Sequence, residues 1–166
     1  MKNSLSTPAP ICDLRRLIAI RRNLSRVVLA GGAFDIFHSG HVTHLRRAKA
    51  RGRTLIVHVV GNKRVREKKG PGRPIFDERD RAQMIAALRF VDYVFIYNGR
   101  HYDQNILTAL QPDVLFFHEE AFTPGIKNKV AACKEFRGIT VVDRRKKKQN
   151  HSSRILATIH ALSRGS

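Results

Sequence analysis

The stretch from Arg26 to His41 reads RVVLAGGAFDIFHSGH and passes from an apolar run through a glycine turn into a polar motif. Its first five residues, Arg26–Ala30, are rich in β-branched residues and apolar on both faces, which is typical of a strand inside a parallel sheet. The next two residues, Gly31 and Gly32, let the backbone turn sharply and approach a ligand closely. Helical spacing follows near His41–Ala50. This order predicts one unit of an alternating strand–helix fold.

The same alternation continues along the rest of the chain. Four more apolar runs predict strands: Leu55–Val60, Tyr93–Tyr97, Val114–Phe117 and Ile139–Val142. Helical spacing recurs near Asp77–Leu88, Gln104–Leu110, Ile126–Phe136 and Ser153–Leu162. Strands that are hydrophobic on both faces and alternate with helices predict an α/β fold, a doubly wound, Rossmann-like, five-stranded parallel sheet with helices on both faces. Ligands of such sheets bind beyond the carboxyl ends of the strands, so functional residues should follow the strands.

Length and composition bound the domain organisation. The chain has 166 residues and is 42% hydrophobic, which suits one domain with a real core. We expect a flexible tail over residues 1–12 and a single domain over residues 13–166, starting with a short helix capped by Asp13. Two cysteines exclude a four-cysteine metal site. The sequence shows no secretory signal in Met1–Pro10 and no apolar run as long as a membrane span, so we expect a cytoplasmic protein without a membrane span.

The charge of the chain is strongly unbalanced. Lys and Arg number 32 against 13 Asp and Glu, a formal net charge of +19. Such an excess favours polyanionic partners such as nucleic acid, anionic lipid or phosphorylated small molecules. The basic clusters, including Arg144–Lys148 (RRKKK), exceed what a nucleotide site requires, so a solvated surface and a second partner such as RNA both stay open. Aromatic residues are not interleaved with these clusters, which argues against a base-stacking platform.

Two histidines flank a glycine at the predicted start of the first long helix. His38 and His41 lie where unpaired backbone N–H groups and the positive end of the helix dipole favour an anion. Their imidazoles could both donate hydrogen bonds to a phosphate whose negative charge grows during a reaction. The alternative without a function is that both side chains are ordinary surface histidines. Spacing with His44 could suggest zinc, but no Cys or acidic residue stands at ligand spacing, and His58 and His118 are expected to be packed within strands.

Several segments carry a family resemblance. Gly32–Asp35 (GAFD) through His38–His41 (HSGH) resembles the signature of the cytidylyltransferase-like nucleotidyltransferases, with its His-x-Gly-His element. Other segments resemble the adenylyltransferase domain of the bacterial ADP-heptose synthesis enzymes, and the pattern is also similar to that of glycerol-3-phosphate cytidylyltransferase. These segments are Lys69–Pro74 (KGPGRP), Asp77–Arg81 (DERDR), Ala87–Val94 (ALRFVDYV) and Ser152–Ile155 (SSRI). The resemblance spans about Val27 to Leu162.

The resemblance implies a reaction and a set of site residues. A nucleotidyl group, AMP or CMP, would pass from a nucleoside triphosphate to a phosphorylated sugar or alcohol, with release of pyrophosphate and with Mg²⁺ shielding the triphosphate. The implied catalytic residues are His38, His41 and Lys69. The implied nucleotide-binding and phosphate-binding residues are Gly32, Ala33, Phe34, Asp35, Gly40, Arg73, Arg79, Ser152 and Ser153. The magnesium ion would have no direct protein ligand, although Asp35 could hold it through water or orient its loop.

The surrounding segments are assigned in the same way. Lys69 and Arg73 are expected on a loop after the second predicted strand, within which Lys63–Gly72 should be mobile because it is rich in like charges and glycine. Arg79 would lie on the helix that follows, and Ser152 and Ser153 would begin the last helix. We also expect a homodimer.

Departures from the family pattern leave the substrates open. The sequence reads Gly61-Asn62 where the family usually has an Asp, and Phe117–Ala121 (FHEEA) where the heptose-type enzymes carry a glycine-containing segment. The base could be adenine or cytosine, and the acceptor a sugar phosphate, glycerol 3-phosphate or another phosphorylated alcohol. An alternative is a basic nucleic-acid-binding module of the same fold with weak or lost catalysis, and a third is a regulatory nucleotide sensor. The histidine pair favours the enzyme, because nucleic-acid binding does not need it.

Overall fold

The computed structural model describes residues 7–99, 102–118 and 138–143, together with Thr158 and Ala161. Within these residues the strands are β1 (Ile11–Cys12), β2 (Val27–Gly32), β3 (Thr54–Val60), β4 (Tyr93–Tyr97), β5 (Val114–His118) and β6 (Ile139–Asp143). The helices are α1 (Leu14–Ile20), α2 (Ser39–Lys49), α3 (Asn62–Lys69), α4 (Glu78–Ala86) and α5 (Gln104–Leu110). The predicted helix near Ile126–Phe136, the run Arg144–Lys148, and Ser152 and Ser153 lie outside the described residues, as does the helix near Ser153–Leu162 apart from Thr158 and Ala161.

All the strand pairs described are parallel, and the strand order is β1-β4-β3-β2-β5-β6. The five predicted strands are confirmed, and a sixth, β1, lies at one edge. Ile11 and Cys12 fall in the segment predicted as a tail, yet they pair with Val94 and Phe95 of β4. The reason is that Cys12 is buried in the core beside β4, so two residues suffice to hold this edge in register. So short a strand carries no alternating pattern for sequence reading to detect.

Helices cover both faces of the sheet. On one face, α1 and α5 bury their apolar sides against β2, β4 and β5, through Leu17, Ile106, Leu107 and Leu110. On the other face, α2 and α4 do the same through Leu45, Ala48, Ala82, Ile85 and Ala86. Burial of apolar side chains on both sides explains why every residue of β3 is buried. The doubly wound α/β class predicted from the sequence is confirmed.

The strand order reverses between β2 and β5, and the two strands separate there. They pair only at Val28↔Val114 and Leu29↔Leu115, whereas β2 and β3 stay paired over six residues. Beyond this point the fully buried Tyr102 donates its hydroxyl to the carbonyl of Phe116 at 2.9 Å, and burial raises the pKa of that hydroxyl. The carboxyl ends of β2 and β5 therefore border the crevice in which such folds bind ligands.

The segment predicted as a mobile loop after β3 is largely helical. Asn62–Lys69 forms α3, in which Val65 is the buried residue. The carboxylate of Glu78 accepts the backbone amide of Asn62 at 2.6 Å and so satisfies one of the open donors at the start of this helix. Lys69 is therefore the last residue of α3, and Arg73 lies on the short connection to α4.

None of the helices in the described part of the chain has the length and apolar character needed to cross a membrane.

Candidate active site

The two histidines of the motif are held by the first turn of α2. His38 is the residue that caps this helix, and its Nδ1 atom accepts the backbone amide of Gly40 at 3.0 Å. The Nδ1 atom of His41 in turn accepts the backbone amide of His38 at 3.3 Å. Since Nδ1 is the acceptor in both rings, the proton of each neutral imidazole sits on Nε2. Each ring is thus set as an Nε2–H donor, with its tautomer fixed by the backbone.

Aromatic packing fixes the plane of the second ring. The His41 imidazole lies nearly parallel to Phe37, with centroids 5.6 Å apart, and meets the buried Phe34 edge-on at 5.4 Å. The His38 ring is 4.0 Å from it, centroid to centroid. Four rings therefore form one cluster directly after β2, in which His38 and His41 are neighbours.

The glycines of the motif make room for these rings. A Cβ added at Gly40 would lie 2.8 Å from His38 Nδ1, too close for the capping imidazole to keep its position. A Cβ added at Gly32 would lie 3.0 Å from the tip of the Phe34 ring. A side chain at Gly40 would therefore displace the His38 ring, and one at Gly32 would require the Phe34 ring to shift by a few tenths of an ångström.

Asp35 joins the histidine motif to the connection before α4. The side chain is buried, and its Oδ1 accepts the backbone amides of Ile75 at 2.6 Å and of Phe76 at 3.2 Å. Its Oδ2 lies 2.9 Å from Arg73 Nη1 in an ion pair that lacks hydrogen-bond alignment. Of the two roles that the sequence suggested for Asp35, these contacts support the orientation of the loop.

Arg81 is a further residue of the site framework, and its role was not predicted. The side chain is fully buried on α4, and burial lowers the pKa of its guanidinium. It donates to the carbonyls of Val60 at 2.7 Å and Phe76 at 3.0 Å, to the carbonyl of Ala33, and to Asn62 Oδ1 at 2.8 Å. One cation thereby links the ends of β2 and β3 to the connection before α4. The sequence signal is an arginine on the same helix face as Ala82 and Ile85.

The structure brings the predicted cations Lys69 and Arg73 together near Asp35. Partial desolvation and the adjacent positive charge of Arg73 lower the pKa of the Lys69 ammonium, and Asp35 opposes that shift. The Arg73 side chain is mostly buried beside Asp35. Arg79 is exposed in the first turn of α4 beside Asp77, whose carboxylate accepts the Arg79 amide at 2.9 Å. Lys69 and Arg73 thus belong to one charged cluster with Asp35 and Arg81.

Three other histidines, His44, His58 and His118, lie on α2, β3 and β5. His44 is buried on α2 and pairs with Asp143 at the end of β6, Nδ1 to Oδ2, at 3.0 Å. Arg47 meets the other oxygen of Asp143 at 2.8 Å. His58 is fully buried against Phe95, at 5.2 Å between centroids, which confirms the expectation that it is packed. His118 ends β5 with its ring 6.1 Å from that of His44. No cluster of three His, Cys, Asp or Glu that could hold a metal ion occurs in residues 7–99, 102–118 and 138–143.

Comparison with known proteins identifies the family of the chain. The family model described as Cytidylyltransferase-like matches residues 29–160. The chain is 38% identical over 110 residues to the bifunctional protein HldE of Helicobacter pylori strain J99, a match that covers 66% of the chain and 24% of that protein. It is 41% identical over 104 residues to the HldE of Koribacter versatilis, covering 62% of the chain and 21% of that protein. The chain therefore spans about a quarter of the length of these curated relatives.

Solved structures give the same result at the level of the fold. A lipopolysaccharide core biosynthesis protein from Thermoplasma volcanium superimposes with a TM-score of 0.62 and 26% identity, over 75% of this chain and 100% of that one. A pantoate-beta-alanine ligase from Francisella tularensis, at 15% identity, superimposes with a TM-score of 0.61 over 84% of this chain and 68% of that one, and shows the fold alone.

The fold, the His-x-Gly-His turn and the family match define a nucleotidyltransferase domain. The chain belongs to the cytidylyltransferase-like family. Both the family resemblance and the enzyme class predicted from the sequence are confirmed.

Proposed function

We propose that this domain transfers a nucleotidyl group, AMP or CMP, from a nucleoside triphosphate to the phosphate of a phosphorylated sugar or alcohol. An oxygen of the acceptor phosphate attacks the α-phosphorus, the bond from that phosphorus to the bridging oxygen breaks, and pyrophosphate leaves. The observation that carries the proposal is the His38–His41 pair, in which both rings are set as Nε2–H donors at the start of α2.

In this reaction the histidines act on charge rather than as nucleophiles. Negative charge grows on the oxygens around the α-phosphorus as the acceptor attacks, and fixed donors stabilise it without reorganisation. Removing one such donor typically costs about 10²–10³ in turnover. The backbone amides and dipole at the start of α2 add a favourable field for the same anion. The shape set by Gly32, Phe34 and Gly40 holds these donors in place.

Lys69 and Arg73 are proposed to neutralise the triphosphate. Arg73 faces Asp35 in the structure, and this carboxylate stabilises its positive charge. The same carboxylate holds the connection before α4 against the histidine motif by accepting the backbone amide of Ile75. Lys69 lies beside it at the end of α3, where it adds a second positive charge. Arg79 is proposed to reach phosphate from its exposed position on α4. Ser152 and Ser153 are proposed, on the resemblance alone, to bind the β- and γ-phosphates.

Magnesium is proposed to enter as part of the substrate, as the metal complex of the triphosphate. Both oxygens of Asp35 already meet partners, Oδ1 two backbone amides and Oδ2 the Arg73 guanidinium. This arrangement suits an anchor for the loop better than a direct ligand for a metal ion. The ion would shield the phosphate charges, while the residues of this chain position the reacting groups.

Within this reaction class, the resemblance of Lys69–Pro74 and Ala87–Val94 to the adenylyltransferase domain of the ADP-heptose synthesis enzymes favours ATP and a sugar phosphate. The differences at Asn62 and at the end of β5, where His118 stands, fall next to the crevice and are proposed to adapt the acceptor pocket. A homodimer and a cytoplasmic location stay predictions, and light scattering of the purified chain tests the first of these.

The test is pyrophosphate release with each of the common nucleoside triphosphates and a panel of phosphorylated sugars and alcohols, with Mg²⁺ present. The proposal expects release that requires both a triphosphate and an acceptor. It expects the His38→Ala and His41→Ala variants to remain folded by circular dichroism while turnover falls. Release at the wild-type rate in both variants would exclude the histidine pair from the reaction. Absence of release across the panel would favour the alternative, a binding module without catalysis.

A further inference from the structure

Basic residues that are scattered along the sequence meet at the amino-terminal edge of the sheet. They are called the basic edge here and comprise Arg21, Arg22, Arg26, Arg46, Lys49, Arg51, Arg53 and Arg89. They flank the starts of β2, β3 and β4 and the ends of α1, α2 and α4. Since the strands are parallel, this edge is opposite the carboxyl ends at which the histidine motif lies.

Hydrogen bonds join the central residues of the basic edge. The Arg26 guanidinium donates to the carbonyl of Arg51 at 3.0 Å, and the Arg53 amide donates to the carbonyl of Arg26 at 3.1 Å. Lys49 Nζ donates to the carbonyl of Arg53 at 2.5 Å and to Asp92 at 2.6 Å. On the side of β4, the Arg46 guanidinium lies over the Phe90 ring at 5.8 Å, next to Arg89 in the chain. These hydrogen bonds join Arg26, Lys49, Arg51 and Arg53 directly, and the other four cations lie beside the same strand starts and helix ends.

The acidic residues of this edge do not cancel its charge. Asp92 accepts the backbone amide of Leu55 at 2.6 Å in addition to Lys49. Asp113 accepts the backbone amide of Val27 at 2.6 Å and meets Arg21 at 3.1 Å. Both carboxylates are thus engaged with strand starts and one cation each. Arg22, Arg46, Arg51, Arg53 and Arg89 remain as exposed guanidinium groups.

The chemistry of this face indicates its ligand. Seven of its eight cations are arginines, the side chain whose planar fork suits bidentate contacts with phosphate. They extend across three adjacent strand starts, which suits a chain of phosphates rather than one compact nucleotide. Two exposed apolar residues, Ile18 in the last turn of α1 and Ile139 at the start of β6, lie near this edge, so anionic vesicles are included as a probe in the test.

We propose that the basic edge binds the phosphodiester backbone of nucleic acid, independently of base sequence and independently of the nucleotide site at the opposite edge. The inference goes beyond the proposed transferase reaction and does not depend on it. Five exposed arginines, each replacing about 0.9 of a condensed counterion, predict a slope of about −4 to −5 for log affinity against log salt.

The experiment measures fluorescence anisotropy of a labelled mixed-sequence DNA duplex, an RNA duplex of the same sequence, and the single RNA strand. The test variant is Arg51→Gln/Arg53→Gln, which removes two exposed charges of the basic edge but keeps the backbone carbonyls that Arg26 and Lys49 use. The matched control is Arg15→Gln/Arg16→Gln, which removes two exposed charges from the first turns of α1. Thermal unfolding checks that both variants are folded, and comparison of the three probes shows whether DNA or RNA is preferred.

The proposal expects micromolar binding at physiological salt, weakened about tenfold by the test variant and less than about twofold by the control. Excess ATP with Mg²⁺ should leave the binding unchanged. Equal losses of affinity in both variants would show that binding depends only on net charge. Displacement of the nucleic acid by ATP would show that it binds at the nucleotide site. Either result overturns the proposal, as does binding of anionic vesicles without binding of any of the three probes. Pyrophosphate release is measured separately, so failure here and failure of the transferase reaction are distinguishable.

Discussion

The backbone amide of His38 donates to the Nδ1 atom of His41 at 3.3 Å, so one imidazole is positioned by the main chain of the residue that carries the other. The His38 ring is also held by the main chain, because its Nδ1 atom accepts the backbone amide of Gly40. The two side chains and the first turn of α2 therefore form a single hydrogen-bonded unit. Both bonds are needed to hold the two rings as Nε2–H donors, which leads to the first two predictions.

Replacing His41 by Asn or by Gln should separate its two roles. The Asn amide oxygen can stand where Nδ1 accepts the His38 amide, but it leaves no donor at the position of Nε2. We expect His41→Asn to keep the folded stability and to lose about 10²–10³ in turnover, with triphosphate affinity changed much less. Gln places its amide near Nε2 and should recover part of the rate. Steady-state kinetics and urea unfolding measure both effects, and an Asn variant as active as the Gln variant would contradict the assignment.

Gly40→Ala should lower turnover without removing any functional group. The added methyl would lie 2.8 Å from His38 Nδ1 and would push the capping ring out of position. We expect at least about a tenfold loss of turnover, because misplacement of a catalytic group by about 1 Å can cost up to 10²-fold. Ser39→Ala, in the same turn but exposed, is the matched control. Similar kinetics for the two variants would show that the His38 position is not critical.

The pH dependence of kcat/KM should report the shifted Lys69. Its pKa is lowered, so its positive charge is present below that pKa and disappears as pH rises through it. As pH rises, kcat/KM for the triphosphate should decrease. We expect the midpoint of this decrease to lie below pH 10.5, the ordinary pKa of lysine. Lys69→Arg should move this decline upward, because arginine keeps its charge. Lys68→Arg, one residue earlier and exposed, should not. An unchanged profile in the Lys69 variant would remove this residue from phosphate binding.

Arg81→Met should destabilise the domain strongly. The substitution leaves the buried carbonyl of Val60 and the partly buried carbonyls of Ala33 and Phe76 without this donor, and a buried unsatisfied group costs about 1–3 kcal/mol. We expect the free energy of unfolding to fall by at least about 3 kcal/mol in urea titrations. Arg79→Met lies two residues earlier on the same helix and is exposed, so its effect should stay within about 0.5 kcal/mol. Comparable losses in the two variants would contradict the framework role of Arg81.

The strands of the sheet were the features most directly readable from the sequence. Runs such as Leu55–Val60 are apolar on both faces because helices cover both sides, so pattern and burial coincide. The helix Asn62–Lys69 was predicted as a loop because it buries only Val65 and shows almost no apolar periodicity. Its start is stabilised by Glu78, which is distant in sequence.

The site was readable where its groups are close in sequence. His38, Gly40 and His41 lie within one helical turn, and their chemistry follows from that spacing. The contact of Asp35 with Arg73 joins residues almost forty positions apart, and only the fold brings them together. Arg81 stands within the charged string DERDR, and only its place on the same helix face as Ala82 and Ile85 separates it from its neighbours.

The bonds that Arg81 makes have a consequence for how the sequence of such a domain can vary. Three of its four acceptors are main-chain carbonyls, a group that every amino acid supplies. Side chains at Ala33, Val60 and Phe76 can therefore be exchanged while the guanidinium still fastens the same three segments. The sequence at these three positions can therefore vary without loss of the connection between the segments, as long as Arg81 is kept.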